Sequence, residues 1–460
     1  MSELPAGWAR RPITDTAALI RGVTYNKTQS SDTPLPGYVP ILRANNIQAG
    51  KLNTSDLVYV PEDCVTPQQI VRSGDIVVAM SSGSKSVVGK AARSDSDWTG
   101  AFGAFCGVLR PSTEIDARYL HFFTQGAEYR TRVSELSAGV NINNLKPAHF
   151  EVIDIPVAPL AEQTRIAQKL DELLAQVDTI KARIDAIPAL LKRFRQSVLA
   201  AAVSGRLTEE WRTANASADN GWGMIRIDQA TKEERYSLAI GPFGSNLKVS
   251  DYRDEGKPLV FVREIRAERF GDEKTKFITP EKFAELSAHQ ISAGDILITK
   301  MGDPPGDVAI YPESAPDAVI TADCIKLRIN ESIISRKFAY FQMKSELFRQ
   351  KIQEISAGVA QQKVSLGNFR ELDLLVPSLQ EQAEIVRRVE QLFAFADQLE
   401  AKVATAQARI DRLTQSILAK AFRGELVPQD PNDEPASLLL ERIQAQRAAA
   451  PKAKRGRKSA

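Results

Sequence analysis

Leu191-Lys192-Arg193-Phe194-Arg195-Gln196-Ser197-Val198-Leu199-Ala200 is written a second time as Ile410-Asp411-Arg412-Leu413-Thr414-Gln415-Ser416-Ile417-Leu418-Ala419. Extending the match outward at a constant offset of 219 aligns Leu136–Leu207 with Ile355–Leu426 without a gap, and 24 of 72 positions are identical. Ser137-Ala138-Gly139-Val140 returns as Ser356-Ala357-Gly358-Val359, and Leu160-Ala161-Glu162-Gln163 as Leu379-Gln380-Glu381-Gln382. Upstream the match weakens, but Ser73-Gly74-Asp75-Ile76 still answers Ala293-Gly294-Asp295-Ile296, and Gly7-Trp8 answers Gly221-Trp222. A period this long is a duplication rather than a solenoid repeat. Each copy is a variable domain followed by a shared helical segment.

The helical segment carries the clearest periodicity. Ile166, Leu170, Leu173, Val177, Ile180 and Ile184 step by four and three and continue through Ile187, Leu191, Phe194 and Val198. The second copy repeats the stripe with Ile385, Val389, Leu392, Leu399, Val403 and Ile410. Such an a/d seam keeps one apolar face toward a partner helix. Two seams in one chain most simply bury each other, and the domain between them carries the chain back, which predicts an antiparallel pair. Pro188 interrupts the first helix and is expected to kink or split it. Gly205 and Gly424 read as helix stops.

The expected architecture is α+β: two mixed α/β domains joined by two long helices packed as an antiparallel coiled coil, an internal pseudo-two-fold duplication. The boundaries read as domain 1–158, helical region 159–207, domain 208–378, helical region 379–427, and a segment 428–460. That last segment ends in Lys452, Lys454, Arg455, Arg457 and Lys458, a basic tail expected to be disordered. Within the domains, Val39–Leu42, Ile76–Ala79, Leu259–Val262 and Ile296–Thr299 read as strands, being short, β-branched and bounded by Gly, Asp or Pro. Tyr119–Phe123 and Phe338–Phe341 read as helices covering them.

Composition excludes several classes. The 460 residues are 43% hydrophobic and 25% charged, which is globular and too long for one core. No apolar run reaches the length of a membrane span and Met1–Arg11 is no signal peptide, so the expectation is a cytoplasmic protein. Three scattered cysteines and three scattered histidines give no metal spacing and no disulfide framework. Lys plus Arg balance Asp plus Glu at 15 to 15 over 1–158 and stand at 23 to 26 over 208–378, so bulk charge announces no nucleic acid.

Two divergent domains on a common spacer are nevertheless suited to reading two things a set distance apart, and duplex DNA repeats its groove faces every ~34 Å. Candidate DNA contacts are residues of the types that pair with base edges and phosphates. In the first domain these are Arg43, Asn45 and Asn46 after a strand, Ser84 and Lys85 in a small-residue loop, and Asn143 with Asn144. In the second they are Ser245, Asn246 and Lys248, then Arg263 and Arg266, then Lys300, and finally Gln361, Gln362 and Lys363. Arg43 and Arg263 are paired as matching positions of the two copies.

The whole pattern resembles the specificity subunit of type I restriction–modification enzymes, with two target-recognition domains separated by two repeated helical regions. The most specific carriers are Pro159-Leu160-Ala161-Glu162-Gln163, the stretch Leu191–Ala202 ending in Gly205, Phe422-Arg423-Gly424-Glu425-Leu426-Val427-Pro428, and Gly241-Pro242-Phe243-Gly244-Ser245. The resemblance implies a non-catalytic subunit that reads an asymmetric bipartite site, one half-site per domain. It further implies two methylation subunits along the helices and, through them, two restriction subunits. The complex would use S-adenosylmethionine to methylate adenine, and ATP with Mg to translocate and cleave; none is expected on this chain, which has no phosphate loop. Asp303-Pro304-Pro305-Gly306 lacks the aromatic residue of the adenine-methyltransferase motif it imitates and reads as a turn. The rival reading is a coiled-coil protein–protein adaptor without DNA specificity.

Overall fold

A computed structural model describes residues 4–138, 143–215, 221–357 and 362–449. The chain divides into two compact units, 1–185 with 405–460, and 186–404. Gln361 and the basic tail lie outside the described residues.

In the first unit the central sheet has the order Ala17–Arg21, Cys106–Pro111, Ile76–Ala79, Ala91–Arg93, all antiparallel. Every residue of Ile76–Ala79 is buried, as its unbroken β-branched run requires of a central strand. A second sheet orders Ala101–Phe102, Tyr38–Leu42 and Val58–Pro61, and Ala9–Pro12 pairs with Asp154–Val157. The helix Ala117–Gln125 lays Tyr119, Leu120 and Phe123 on the core.

The same strand plan recurs in the second unit. Its central sheet runs Leu238–Ile240, Cys324–Leu327, Ile296–Thr299, Val308–Ile310. A neighbouring sheet orders Phe277–Ile278, Lys257–Val260, Ala318–Ile320 and Gln290–Ile291, and Gly223–Arg226 pairs with Asp373–Val376. Arg336–Lys344 is the covering helix. The predicted strand Leu259–Val262 is corrected here: the strand ends at Val260 and a helix, Val262–Ala267, begins. The Glu264 carboxylate accepts from the Phe261 N–H at 2.9 Å, a local bond that turns the chain out of extended conformation.

The two long helices are Leu160–Val203 and Leu379–Phe422. Pro188 neither ends nor splits the first; it lies exposed inside the helix, where the carbonyl it orphans can face water. Gly205 and Gly424 both adopt φ +73°, the left-handed turn that stops each helix. In the first unit Lys181 pairs with Asp411 at 3.1 Å and Gln407 donates to Asp185 at 2.7 Å. Residue numbers rise on one helix as they fall on the other, so these segments run antiparallel. In the second unit Arg195 bridges Asp397 and Glu400 at 2.5 and 2.9 Å.

Most of the predicted seam is covered. Ile166, Leu170 and Val177 in the first unit, and Ile385, Val389 and Val403 in the second, are buried, as is Ile410. Leu173, Ile184, Leu392 and Leu399 are half-buried. Ile180 departs from the expectation, standing 50% exposed, and Leu413 on the other helix is equally exposed. A two-helix pair covers one side of each seam residue and leaves the flank to solvent. Phe422 shows the stronger packing near the domain, with its ring 5.0 Å from Tyr119 and 5.3 Å from Phe123. Sequence reading missed the helix Ala436–Ala449, which buries Leu439, Leu440 and Ile443 in the first core.

Candidate nucleic-acid interface

Matching polar residues hold each domain on its helix. Gln163 is fully buried; its Oε1 accepts from the Asp116 N–H at 3.0 Å and its Nε2 donates to the Ala158 carbonyl at 2.8 Å. Gln382 repeats both bonds, accepting from the Ser335 N–H at 2.6 Å and donating to Pro377 at 2.8 Å. Asp116 and Ser335 are the N-cap residues of the two covering helices. The repeated Gly-Asp motif is likewise structural. Arg110 grips buried Asp75 through two bonds of 2.8 and 2.7 Å, and Arg328 grips Asp295 through two of 3.0 Å.

The nominated DNA contacts fall into several loops. Arg43 and Asn45 are both bonded to Asp56, at 3.0 and 2.8 Å. Asn46 is buried, and its amide nitrogen is spent on the carbonyls of Asn53 and Asp56. Arg263 lies over the Phe261 ring at 4.4 Å and pairs with Glu264 at 2.8 Å. The local hydrogen bonds correct the pairing of the two arginines. Asn46 caps the Arg43 N–H at 2.7 Å as Glu264 caps that of Phe261, so the structural counterpart of Arg43 is Phe261. Arg266 pairs with Asp307 at 2.9 Å.

Ser84 and Lys85 are exposed, as are Ser245, Asn246 and Lys248. The loop around Ser245 also presents Phe243 at 67% exposure. Gly241 begins that loop against the Thr321 carbonyl, where a Cβ would sit at 1.9 Å, so only glycine fits.

Asn143, Asn144, Lys300, Gln362 and Lys363 meet in a feature present in both units. In the first, Ser81–Ser82 pairs with Asn143–Asn144; the Met80 and Ser81 N–H groups donate to the Phe105 carbonyl, and Leu145 N–H donates to Met80. In the second, Met301–Gly302 pairs with Gln362–Val364; the Lys300 and Met301 N–H groups donate to Asp323, and Val364 N–H donates to Lys300. The backbone frame is therefore the same, with Met80 matched to Lys300, Phe105 to Asp323 and Asn143 to Gln362. Asn143 Oδ1 and Gln362 Oε1 are both buried without a hydrogen-bond partner among the described residues. Sequence reading nominated Lys300 but missed Met80 and Phe105, which an alignment anchored on the strand ends would have found.

Lys300 is 7% exposed, and among the described residues its ammonium has no hydrogen bond or ion pair. Burial lowers its pKa, the neighbouring charge of Lys363 lowers it further, and Asp323 opposes the shift. At the same position the first unit has Met80, 8% exposed, beside a Phe105 that is 70% exposed.

Other features carry less. A cleft of about 740 Å³ in the first unit is lined by Lys51, Arg93, Arg118, His121, Asp171 and Asp178, and includes none of the nominated DNA contacts. Burial, aided by Arg93, lowers the His121 pKa to about 4, so the ring is neutral at neutral pH. Cys106 and Cys324 are buried, and burial raises both thiols to about 12, which leaves them inert. Asp303–Gly306 forms a turn whose Gly306 and Asp307 N–H groups both donate to Thr299 Oγ1 at 2.9 Å. Trp8 and Trp222 pack on the cores of their units, Trp8 also donating to Glu162 at 2.9 Å. Among the described residues no cluster of His, Cys, Asp and Glu is placed to hold a metal, and no helix is long and apolar enough to cross a membrane.

The profile of the type I restriction modification DNA specificity domain matches residues 5–189 and 247–406. The EcoKI specificity subunit of Escherichia coli K12 is 41% identical over 468 residues, covering 99% of both chains. The StySPI specificity subunit of Salmonella potsdam is 42% identical over 475 residues, covering 100% of this chain and 99% of the relative. Among solved structures, a chain from a study of type I R-M complex assembly superposes with a TM-score of 0.64 at 18% identity, covering 93% of this chain and 100% of its own. The HsdS subunit of Thermoanaerobacter tengcongensis superposes with 0.53 at 19% identity, over 92% and 99%.

Proposed function

The chain belongs to the type I restriction–modification DNA specificity family, and from that premise we propose how it does its work. It is the DNA sequence-recognition subunit, and the adaptor reading is not favoured. Domain 1–158 reads one half-site and domain 208–378 the other; because the two differ in sequence, the half-sites differ. The helical regions 159–207 and 379–427 form an antiparallel coiled coil with pseudo-two-fold symmetry, and their length sets the unread spacer. The contacts Lys181–Asp411 and Asp185–Gln407 in the first unit support the antiparallel pairing, since residue numbers rise on one helix as they fall on the other.

The exposed apolar residues Ile180 and Leu413 in the first unit, and Leu190 and Phe395 in the second, supply faces for partner helices. Two methylation subunits dock there, and two restriction subunits join through them. Methylation of adenine with S-adenosylmethionine, and ATP- and Mg-dependent cleavage, belong to those partners; this chain contributes no reacting group. Its work is done on DNA in the cytoplasm. Specificity arises from hydrogen bonds and apolar contacts to base edges, with phosphate contacts fixing register.

The observation that carries this reading is the recurrence of one domain plan around side chains of different chemistry, Met80 and Phe105 against Lys300 and Asp323. The test is enrichment of a random DNA library by the assembled complex. Two conserved half-sites separated by a fixed, unread spacer are expected. Binding without any bipartite preference would favour the adaptor instead.

A further inference from the structure

Each unit builds the same junction where its central strand, Ile76–Ala79 or Ile296–Thr299, runs out into a short paired segment. The backbone hydrogen bonds coincide, yet the side chains differ in kind. In the second unit Lys300 is 7% exposed as a residue, and its ammonium has no hydrogen bond or ion pair among the described residues; the carboxylate of Asp323 and a second cation, Lys363, one pairing position away on the adjoining strand, both act on it. A cation held this way, with a like charge beside it, is stabilised by an incoming lone pair or anion. In the first unit the matching position is Met80, and the adjoining carbonyl belongs to Phe105, whose ring stands 70% in solvent. An exposed aromatic side chain in the turn that leads into the strand Cys106–Pro111 recovers free energy when an apolar group covers it.

We infer that this junction is a specificity-determining locus whose polarity differs between the domains: Lys300 makes the second domain require guanine at one base pair, and Phe105 makes the first prefer thymine. The inference rests on the recognition function and adds the side chains and bases responsible. Lysine donates to guanine O6 and N7, which no other base offers as a pair of acceptors in the major groove. A phenyl ring contacts the thymine methyl group, an apolar feature absent from the other bases. The arrangement accounts for two readers that share a frame but not a target. Gln362 and Asn143, matched in the two junctions, each bury an amide oxygen that has no hydrogen-bond partner among the described residues.

The experiment uses the full chain assembled with its methylation partners and a library in which each base pair of both half-sites is varied singly. Lys300→Met is expected to lose guanine preference at one base pair of the half-site read by the second domain, by about 5- to 150-fold, leaving the other half-site unchanged. Phe105→Ala is expected to lose thymine preference at one base pair of the opposite half-site. Its side chain is exposed, so folding is not at issue. Uniform weakening by Lys300→Met across all sequences, with the salt slope reduced by about one, would make Lys300 a phosphate contact and overturn the inference. A bipartite wild type whose variants keep every base preference would overturn the inference alone. A wild type with no bipartite preference would overturn the recognition reading and this with it.

Discussion

Gln163 and Gln382 each spend one amide on two backbone groups that would otherwise be buried and unpaired. Replacing either by Leu keeps the volume and strands an N–H and a carbonyl, which costs about 1–3 kcal/mol. Chemical denaturation of Gln163→Leu and Gln382→Leu is expected to show losses of similar size, because the two bonding patterns coincide. A neutral result at either position would mean that water restores the bonds. At this scale the sequence was only partly legible. The repeated Glu-Gln pair marked the right residues, but nothing in it disclosed that the amide reaches back to a domain helix 47 residues away. Arg43 and Arg263 seemed equivalent by offset, and it took the capping bonds to match Arg43 with Phe261.

The long helices were legible because a seam stepping by four and three has one physical solution, burial against another such seam. Central strands such as Ile76–Ala79 and Ile296–Thr299 were legible for a related reason, their β-branched runs being bounded by Gly-Asp turns. Leu259–Val262 failed because a side-chain cap from Glu264, three residues on, outweighs strand propensity at Phe261. The helix Ala436–Ala449 escaped because its apolar residues are few and its contacts are distant in sequence, Ala436 bonding to Gly7 and Arg442 to Glu114. What the seam alone did not predict is its exposed flank. Ile180→Asp with Leu413→Asp is expected to abolish assembly with the methylation partners while shifting the thermal midpoint of the isolated chain little, since each side chain is half in solvent. Size-exclusion chromatography of the mixture reads the first effect and calorimetry the second. Full assembly by the double variant would place the partners elsewhere.

On the scale of the whole molecule, duplication separates what must stay constant from what must vary. The constant part is the glutamine locks, the Asp–Arg pairs under the central sheets, the glycine stops and the paired helices. The variable part is the set of side chains carried on those frames, Met80 and Phe105 in one copy and Lys300 and Asp323 in the other. Bulk charge gave no hint of DNA because Lys plus Arg nearly balance Asp plus Glu in both domains. The proposed function makes the domains exchangeable units of recognition. Replacing residues 1–158 by the corresponding domain of a relative, and sequencing the methylated positions in a host carrying the complete system, tests this most directly. The expected result is a new sequence in one half-site, with the other half-site and the spacer unchanged. Alteration of both half-sites, or of neither, would contradict the assignment of one reader to each domain.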